Sequence, residues 1–467
     1  MGFKHEVTLG QIALEAVDGP FGSNLPASAY VSEGIPVIRG SNLSLGQEQF
    51  KDSEFVYISE ATFKKLKRSE CIAGDILFTK KGTLGQTGII PQKHRYSRFL
   101  LSSNQMRLRV NEEKAIPEYV YYFVSSANSI EKIKRESEST GVPKINLEYL
   151  KNFRIYLPPL ESQSKIVNVL QSLDNKIKLN RQTNQILEHM AQALFKSWFV
   201  DFDPVIDNAL AAGNKLPDEL AARVAVRQRS HKLPNYKPLP ADIQKLFPNE
   251  FEHTDDPAIG IEGWIPKGWK VSTTGDEFEV KGGSTPSTNN PEFWDGGDIC
   301  WTSPKDLSGN ESKILLDTSR KITEAGLKKI TSGLLPVNTV LMSSRAPVGY
   351  LAFAKIPVAI NQGYIALLCE KTLSPEYTVQ FLDSIMDEIK GISGGTTFAE
   401  ISKKTFRSIK LIVPSKPAID AFTSVTKANY DKITENIKQT NSLAETRDYL
   451  LPKLITGEVI LEGICHE

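Results

Sequence analysis

Two short stretches of this chain bring reactive residue types together. Asn290-Pro291-Glu292-Phe293 approaches the N/D-P-P-Y/F motif of nucleic-acid amino-methyltransferases, but it lacks the second proline and sits in a loop beside Gly282-Gly283. Asp276 with Glu279-Val280-Lys281 imitates the carboxylates and D/E-x-K pair that hold magnesium in metal-dependent nucleases, yet its spacing is too cramped for an octahedral oxygen set. No G-x-G-x-x-G follows a strand pattern and no G-x-x-x-x-G-K-[ST] occurs, so loops that cradle nucleotide phosphates are unsupported. The six histidines (His5, His94, His189, His231, His253, His466) do not pair at metal-ligand spacing, and the four cysteines (Cys71, Cys300, Cys369, Cys465) form no C-x-x-C. Reduced, mostly buried thiols are expected. No catalytic residue and no metal ligand is predicted; the chain reads as a binder.

Better represented are groups that read base edges: Arg or Lys for guanine, Asn or Gln for adenine, held on a rigid frame. They recur at matched places because the chain is written twice, with residues from about Thr8 to Phe199 returning in order from about Thr274 to Ile455. DILFTKKGTLG, Asp75 to Gly85, aligns with TVLMSSRAPVG, Thr339 to Gly349, at an offset of 264. Asn104-Gln105 then meets Asn361-Gln362, and Thr140 to Pro158 aligns with Thr396 to Pro414 at an offset of 256. The candidate DNA-contacting residues of the first copy are Arg39, Ser41 and Asn42 after a strand, Lys80, Lys81 and Thr83 in a glycine-flanked turn, Asn104 and Gln105, and Lys144 in the loop from Thr140. Those of the second are Ser303 and Lys305, then Ser343, Ser344 and Arg345, then Asn361 and Gln362, and Thr396 and Thr397 in the glycine-rich loop Gly394 to Phe398. Residues shared by both copies cannot tell two half-targets apart, so Lys80-Lys81 against Ser344-Arg345 is the better place for discrimination. A repeated Asn-Gln serves equally well as a buried hydrogen-bonding brace.

A length of 467 residues exceeds one hydrophobic core and fits two to three domains. With 40% hydrophobic and 24% charged residues, no apolar run near the roughly 18 residues of a membrane span, and no signal-peptide core in MGFKHEVTLG, a cytoplasmic globular protein without membrane contact is expected. A net charge of +1 excludes a protein that coats polyanions with its whole surface. Between Lys64 and Arg109, however, eleven basic residues face only Glu70 and Asp75, a patch that either meets phosphates or forms a solvated face.

The runs IPVIRG, FVYIS, DILFTK, TGIIP, MRLRV and FRIYLP predict strands in a first α+β domain over 3–158, with helices near 61–67 and 117–134. A heptad pattern then begins, with Ile166, Leu170, Leu173, Ile177, Asn180, Asn184, Leu187, Ala191, Leu194 and Trp198 spaced alternately four and three apart, in a helix over 160–200. Its counterpart over 416–455 has a more polar seam that includes Asn436 and Arg447. A helix of this length spans on the order of 60 Å. The expectation is an antiparallel coiled coil that places the domains at opposite ends and acts as a ruler. Residues 201–263 have no counterpart in the second copy; an alanine-rich, helical part is followed by a proline-rich acidic one, and the segment reads as a spanning connection. The second α+β domain covers 264–414.

Together these residues resemble the specificity subunit of type I restriction-modification enzymes. The resemblance rests on GIPVIRGSNL and GDILFTKKGTLG in the first domain, GGSTPS, EFW, GDICW, SSRAPVGYLA and INQG in the second, and the helix endings ALFKSWFVDFDP and RDYLLPKLITGEV, and it covers nearly the whole chain. It implies two target-recognition domains, each reading half of a bipartite, asymmetric site in double-stranded DNA, and a helix pair that sets the gap. It further implies two modification subunits carrying S-adenosylmethionine and adenine-N6 methylation, and two restriction subunits using ATP and magnesium, with no cofactor in this chain. The long connection after Asp203 departs from that pattern. Two other readings remain at this point: a stand-alone nuclease or methyltransferase, which would turn over without partners, and a non-DNA scaffold, which would not bind duplex DNA at low salt.

Overall fold

A computed structural model describes residues 5–137, 143–310, 312–394 and 399–461. They form two compact units: residues up to Leu179 together with those from Gln439 onward, and Asn180–Lys438.

In the first unit all six predicted runs become strands. An antiparallel sheet has the order Ala13–Asp18, Gln105–Val110, Ile76–Thr79, Thr87–Ile89. A second sheet has the order Tyr30–Val31, Val56–Ile58, Ile35–Ile38, Phe99–Leu101, Glu70–Cys71, with Ile35–Ile38 parallel to Phe99–Leu101. Every residue of Ile76–Thr79 is buried because both of its faces are covered. Ile76 and Phe78 pack with Tyr119, Val120 and Phe123 of helix Pro117–Val124, whereas Leu77, pointing the other way, packs with Ile38 and Phe99 of the second sheet.

The second unit repeats this plan. Its larger sheet runs Glu279–Lys281, Tyr364–Leu368, Val340–Ser344, Val348–Ala354, Ile314–Leu315, and its smaller one Arg320–Ile322, Ile299–Thr302, Ala359–Ile360. The parallel pair recurs as well: Val37 opposite Leu100 in the first unit becomes Trp301 opposite Ala359 in the second.

The heptad runs form helices Leu160–Phe195 and Lys416–Thr456, and within each unit the parts present lie antiparallel. In the first unit Ile166 and Leu170 share a core with Leu451, Leu454 and Ile455, and Asp174 Oδ1 lies 3.0 Å from Arg447 Nη1. In the second, Ala191 and Phe195 share a core with Phe422, and Asn436 Nδ2 donates to Asn184 Oδ1 at 2.8 Å. The polar seam positions are thus buried and paired, as register-fixing residues must be.

Residues 201–263 correct the expectation of a spanning connection. Phe202, at positive φ, turns the chain into helix Asp203–Ala212, and Phe202, Val205 and Phe247 enter the same core as Trp269 and Phe422. Each such side chain contributes roughly 1.5–3 kcal/mol on burial. Asn208 Nδ2 donates to the carbonyls of Gln244 and Phe247 at 3.0 and 2.8 Å. Helix Ala221–His231 buries no side chain; ion pairs hold it, from Arg223 to Asp201 and Asp203 and from Arg227 to Asp207.

Candidate nucleic-acid interface

In the first unit three strands deliver turns to one edge: Gly40–Asn42 after Ile35–Ile38, Lys80 to Gly85 after Ile76–Thr79, and Ser102 to Asn104 after Phe99–Leu101. Backbone hydrogen bonds tie them together. Lys80 N donates to Asn104 O (2.7 Å), Ile145 N to Lys80 O (3.0 Å), Ser102 N to Ile38 O (2.9 Å) and Gly19 N to Gln105 O (2.9 Å). The approach at Gly19 is so close that a Cβ there would lie 1.9 Å from Ser102 O. Gly85 closes its turn at φ +86° against Ile130, and Gly349 does the same in the second unit at φ +109° against Met386.

Ser41, Lys81, Thr83, Asn104 and Lys144 are exposed on this edge. Arg39 and Lys80 are half-buried; Arg39 Nη2 donates to Glu54 O (2.9 Å) and Lys80 Nζ pairs with Asp18 Oδ1 (2.9 Å). Asn42 and Gln105 are buried, which replaces the reading of them as base contacts. Asn42 accepts from Arg39 N (2.9 Å) and donates to Lys51 O and Ser53 O (3.1 and 2.8 Å), while Gln105 Oε1 accepts from the Ser102 hydroxyl. Both brace the turns from beneath.

The second unit is tied in the same way, by Ser344 N to Gly363 O (2.8 Å), Ile401 N to Ser344 O (3.0 Å) and Asn361 N to Thr302 O (3.0 Å). Lys305 and Gln362 are exposed and Ser303, Arg345 and Asn361 half-buried. Ser343 and Ser344 are buried; Ser343 Oγ donates to Pro347 O (2.7 Å) and accepts from Tyr350 N (2.8 Å), again as a brace. Asn361 Oδ1 caps Gly363 N (2.8 Å), and Gln362 Oε1 accepts from Thr285 Oγ1 (2.6 Å). The place of Asn42 is taken by Asp306, which accepts from Ser303 N (2.8 Å) and Ser319 N (2.9 Å). Burial pushes the Asp306 pKa up, but these donors outweigh it and hold the carboxyl below its ordinary value. Thr396 and Thr397 lie outside the described residues.

Sheet register corrects one sequence pairing. Thr79 faces Gln105, and its counterpart Ser343 faces Tyr364, so Asn104-Gln105 corresponds to Gly363-Tyr364 rather than to Asn361-Gln362. The basic patch is also smaller than its sequence suggests. Arg109 makes a two-point bond, both arms 2.8 Å, to the fully buried Asp75, and Arg107, also buried, pairs with Glu15 (2.9 Å). Arg95 pairs with Asp52 and Arg98 with Glu60. Lys64, Lys65, Lys67, Arg68, Lys81 and Lys93 remain exposed, without an ion pair among the described residues. One cation escaped the sequence reading: Lys403, whose Nζ would lie 2.6 Å from a Cβ at Gly282, joins the second edge. Its counterpart in the first copy is Leu147, so the repeat gave no signal. Among the described residues no group of three or more His, Cys, Asp or Glu is placed to hold a metal, and no helix is long and apolar enough to cross a membrane.

Each unit thus holds one copy of the same α/β domain, packed on its part of the two long helices. The solved structure titled as the type-I restriction-modification system S subunit from M. genitalium shares the fold, with a TM-score of 0.53 over 97% of this chain and 96% of that one at 15% identity. The type I restriction modification DNA specificity domain matches residues 26–189 and 266–446. The chain belongs to this family of type I restriction-modification specificity subunits. The HindI specificity subunit of Haemophilus influenzae is 30% identical over 404 residues, covering 81% of this chain and 87% of the relative. The MjaIX specificity subunit of Methanocaldococcus jannaschii is 38% identical over 205 residues, covering 44% and 46%.

Proposed function

We propose that each α/β domain reads one half of a bipartite, asymmetric site in double-stranded DNA, and that the two long helices set the gap between the halves. The chain supplies sequence specificity without chemistry of its own. Two modification subunits, with S-adenosylmethionine, methylate adenine N6, and two restriction subunits, with ATP and magnesium, cleave. The observation that carries this reading is the pair of edges built on one framework but furnished differently: Lys80-Lys81 with Thr83 and Lys144 on the first, Arg345 with Lys305 and Gln362 on the second.

A protein of this kind grips phosphates, so its affinity falls with salt, and each wrong base pair costs roughly 1–3 kcal/mol. The target adenine must leave the stack to be methylated, which requires that the duplex be held while the partner acts. The test is exchange of residues 3–158 for another recognition domain, followed by mapping of methylated adenines in DNA modified by the complex. One half of the motif should change and the other, with the gap, should stay. A change in both halves, or methyl transfer by this chain alone, refutes the reading.

A further inference from the structure

The Asn290-Pro291-Glu292-Phe293 stretch has a structural role that its sequence does not announce. Asn290 Oδ1 caps Glu292 N (3.2 Å), Thr323 Oγ1 donates to Glu292 O (2.7 Å) and Thr323 N to Phe293 O (3.1 Å). Gly326 lies so close beneath that a Cβ would stand 2.5 Å from Phe293 O. The turn therefore fixes the next residue, Trp294, whose indole N–H donates to Ser287 O (3.0 Å) and whose ring meets Trp301 edge-on at 5.2 Å. Trp294 rests on a small core of Trp301, Ile322, Ile330 and Ala359.

Over that indole lies Arg320, its guanidinium carbon 3.4 Å from the ring centroid and 5.6 Å from that of Trp301. Arg320 is exposed and makes no side-chain hydrogen bond or ion pair among the described residues. Its strand pairs with Ile299–Thr302, which runs straight into Ser303, and Ser319 N is bonded to Asp306 of that turn. The stack thus belongs to the same edge as Ser303 and Gln362. In the first domain the two arginines that lie over rings are both ion-paired, Arg95 over Tyr96 with Asp52 at 3.0 Å and Arg98 over Phe63 with Glu60 at 2.8 Å.

A guanidinium lying on an aromatic ring has its plane set in advance and its N–H edge turned outward, so less freedom is lost when it meets a planar two-acceptor partner. Guanine O6 and N7 form such a partner in the major groove. The exposed carboxylate of Asp295, next to Trp294, opposes a phosphate at the same place, while that of Asp317 is paired with Lys321 at 3.4 Å. Resting on the function proposed above, the geometry points to Arg320, positioned by Trp294, as a specificity-determining side chain that reads a guanine in the half-site of the second domain.

The test uses the chain assembled with its modification subunits and duplexes in which each base pair of the mapped site is changed in turn. Arg320→Ala should lower discrimination about 10- to 100-fold at one G·C pair. That pair should lie in the half that changes when residues 264–414 are exchanged, and the slope of log affinity against log salt should stay as it was. Arg320→Lys should fail to restore the preference, and Trp294→Ala should weaken it at the same pair. Equal weakening on all sequences with a salt slope lower by about one would identify a phosphate contact and overturn the proposal. So would unchanged discrimination, or a loss confined to the other half. If the unaltered complex reads no split site at all, the two-domain function fails instead, whatever Arg320 does.

Discussion

The ion pair between Asp174 and Arg447 gives a quantitative test of how the helix pair is held in the first unit. The two side chains are 17% and 10% exposed and 3.0 Å apart. Burial alone would pull the Arg447 pKa down; the bond and charge of Asp174, joined by those of Asp448, more than reverse this. Arg447→Ala leaves a largely buried carboxylate whose remaining donors are Tyr122 Oη at 2.7 Å and Gln49 Nε2 at 3.3 Å. Stripping one partner from a dry ion pair costs about 3–5 kcal/mol. The two retained hydrogen bonds and the residual exposure reduce the expected loss to about 2–3 kcal/mol. Adding Asp174→Asn to Arg447→Ala removes the uncompensated carboxylate and should bring the cost down to about 1 kcal/mol, so the coupling energy should exceed about 1 kcal/mol. Because the two units need not unfold together, the measurement should be amide exchange of first-unit residues under native conditions. A single-variant cost below about 1 kcal/mol, or additive effects of the two changes, would refute the assignment of this pair as the lock of the seam.

Gly19→Ala should destabilise the first unit by more than about 3 kcal/mol, since its methyl would meet Ser102 O at 1.9 Å, whereas Gly22→Ala, with nothing within 4 Å, should be close to neutral; paired thermal melts decide. The depressed pKa of Asp306 makes its brace a source of stability that is complete above the ordinary carboxylate pKa and lost as pH falls through the lower folded value. Protection of the Ser303 and Ser319 amides, taken relative to the intrinsic exchange rate at each pH, should therefore hold through the mildly acidic range and fall only below it, and a fall already near pH 6 would contradict the assignment. Lys81→Ala, at an exposed cation on the first edge, should weaken binding of all duplexes alike and lower the salt slope by about one; loss at a single base pair would instead make Lys81 a reader.

The long helices and the strands were legible because their periods are strong: ten seam positions in strict four-three alternation, and apolar runs bounded by glycine. Strand Phe99–Leu101 is not legible in the same way, since it is only three residues long and both of its partners, parallel Ile35–Ile38 and antiparallel Glu70–Cys71, are distant in sequence. The edge was legible as loops but not as side chains. Asn42, Gln105 and Ser343 carry the right groups for reading bases, yet whether such a group points outward or into the framework depends on strand ends that sequence spacing does not locate. The two-residue error at Asn361-Gln362 has the same origin, because the copies differ in length between the second and third turns. Residues 201–263 misled through composition: prolines and acids dominate the count, while three aromatic or branched residues at wide spacing, Phe202, Val205 and Phe247, decide where the segment goes.

The braces beneath the two edges are not interchangeable. Asn42 supports the turn of the first unit by donating as well as accepting, and Asp306 supports the matching turn only by accepting, with Ser319 as a further donor. A single recognition loop transplanted from one lobe to the other would arrive without its footing. If each lobe reads its own half-site as proposed, new target sequences on this scaffold call for swapping whole lobes at joints within the helical stalks, so that every loop travels with the residues that hold it up.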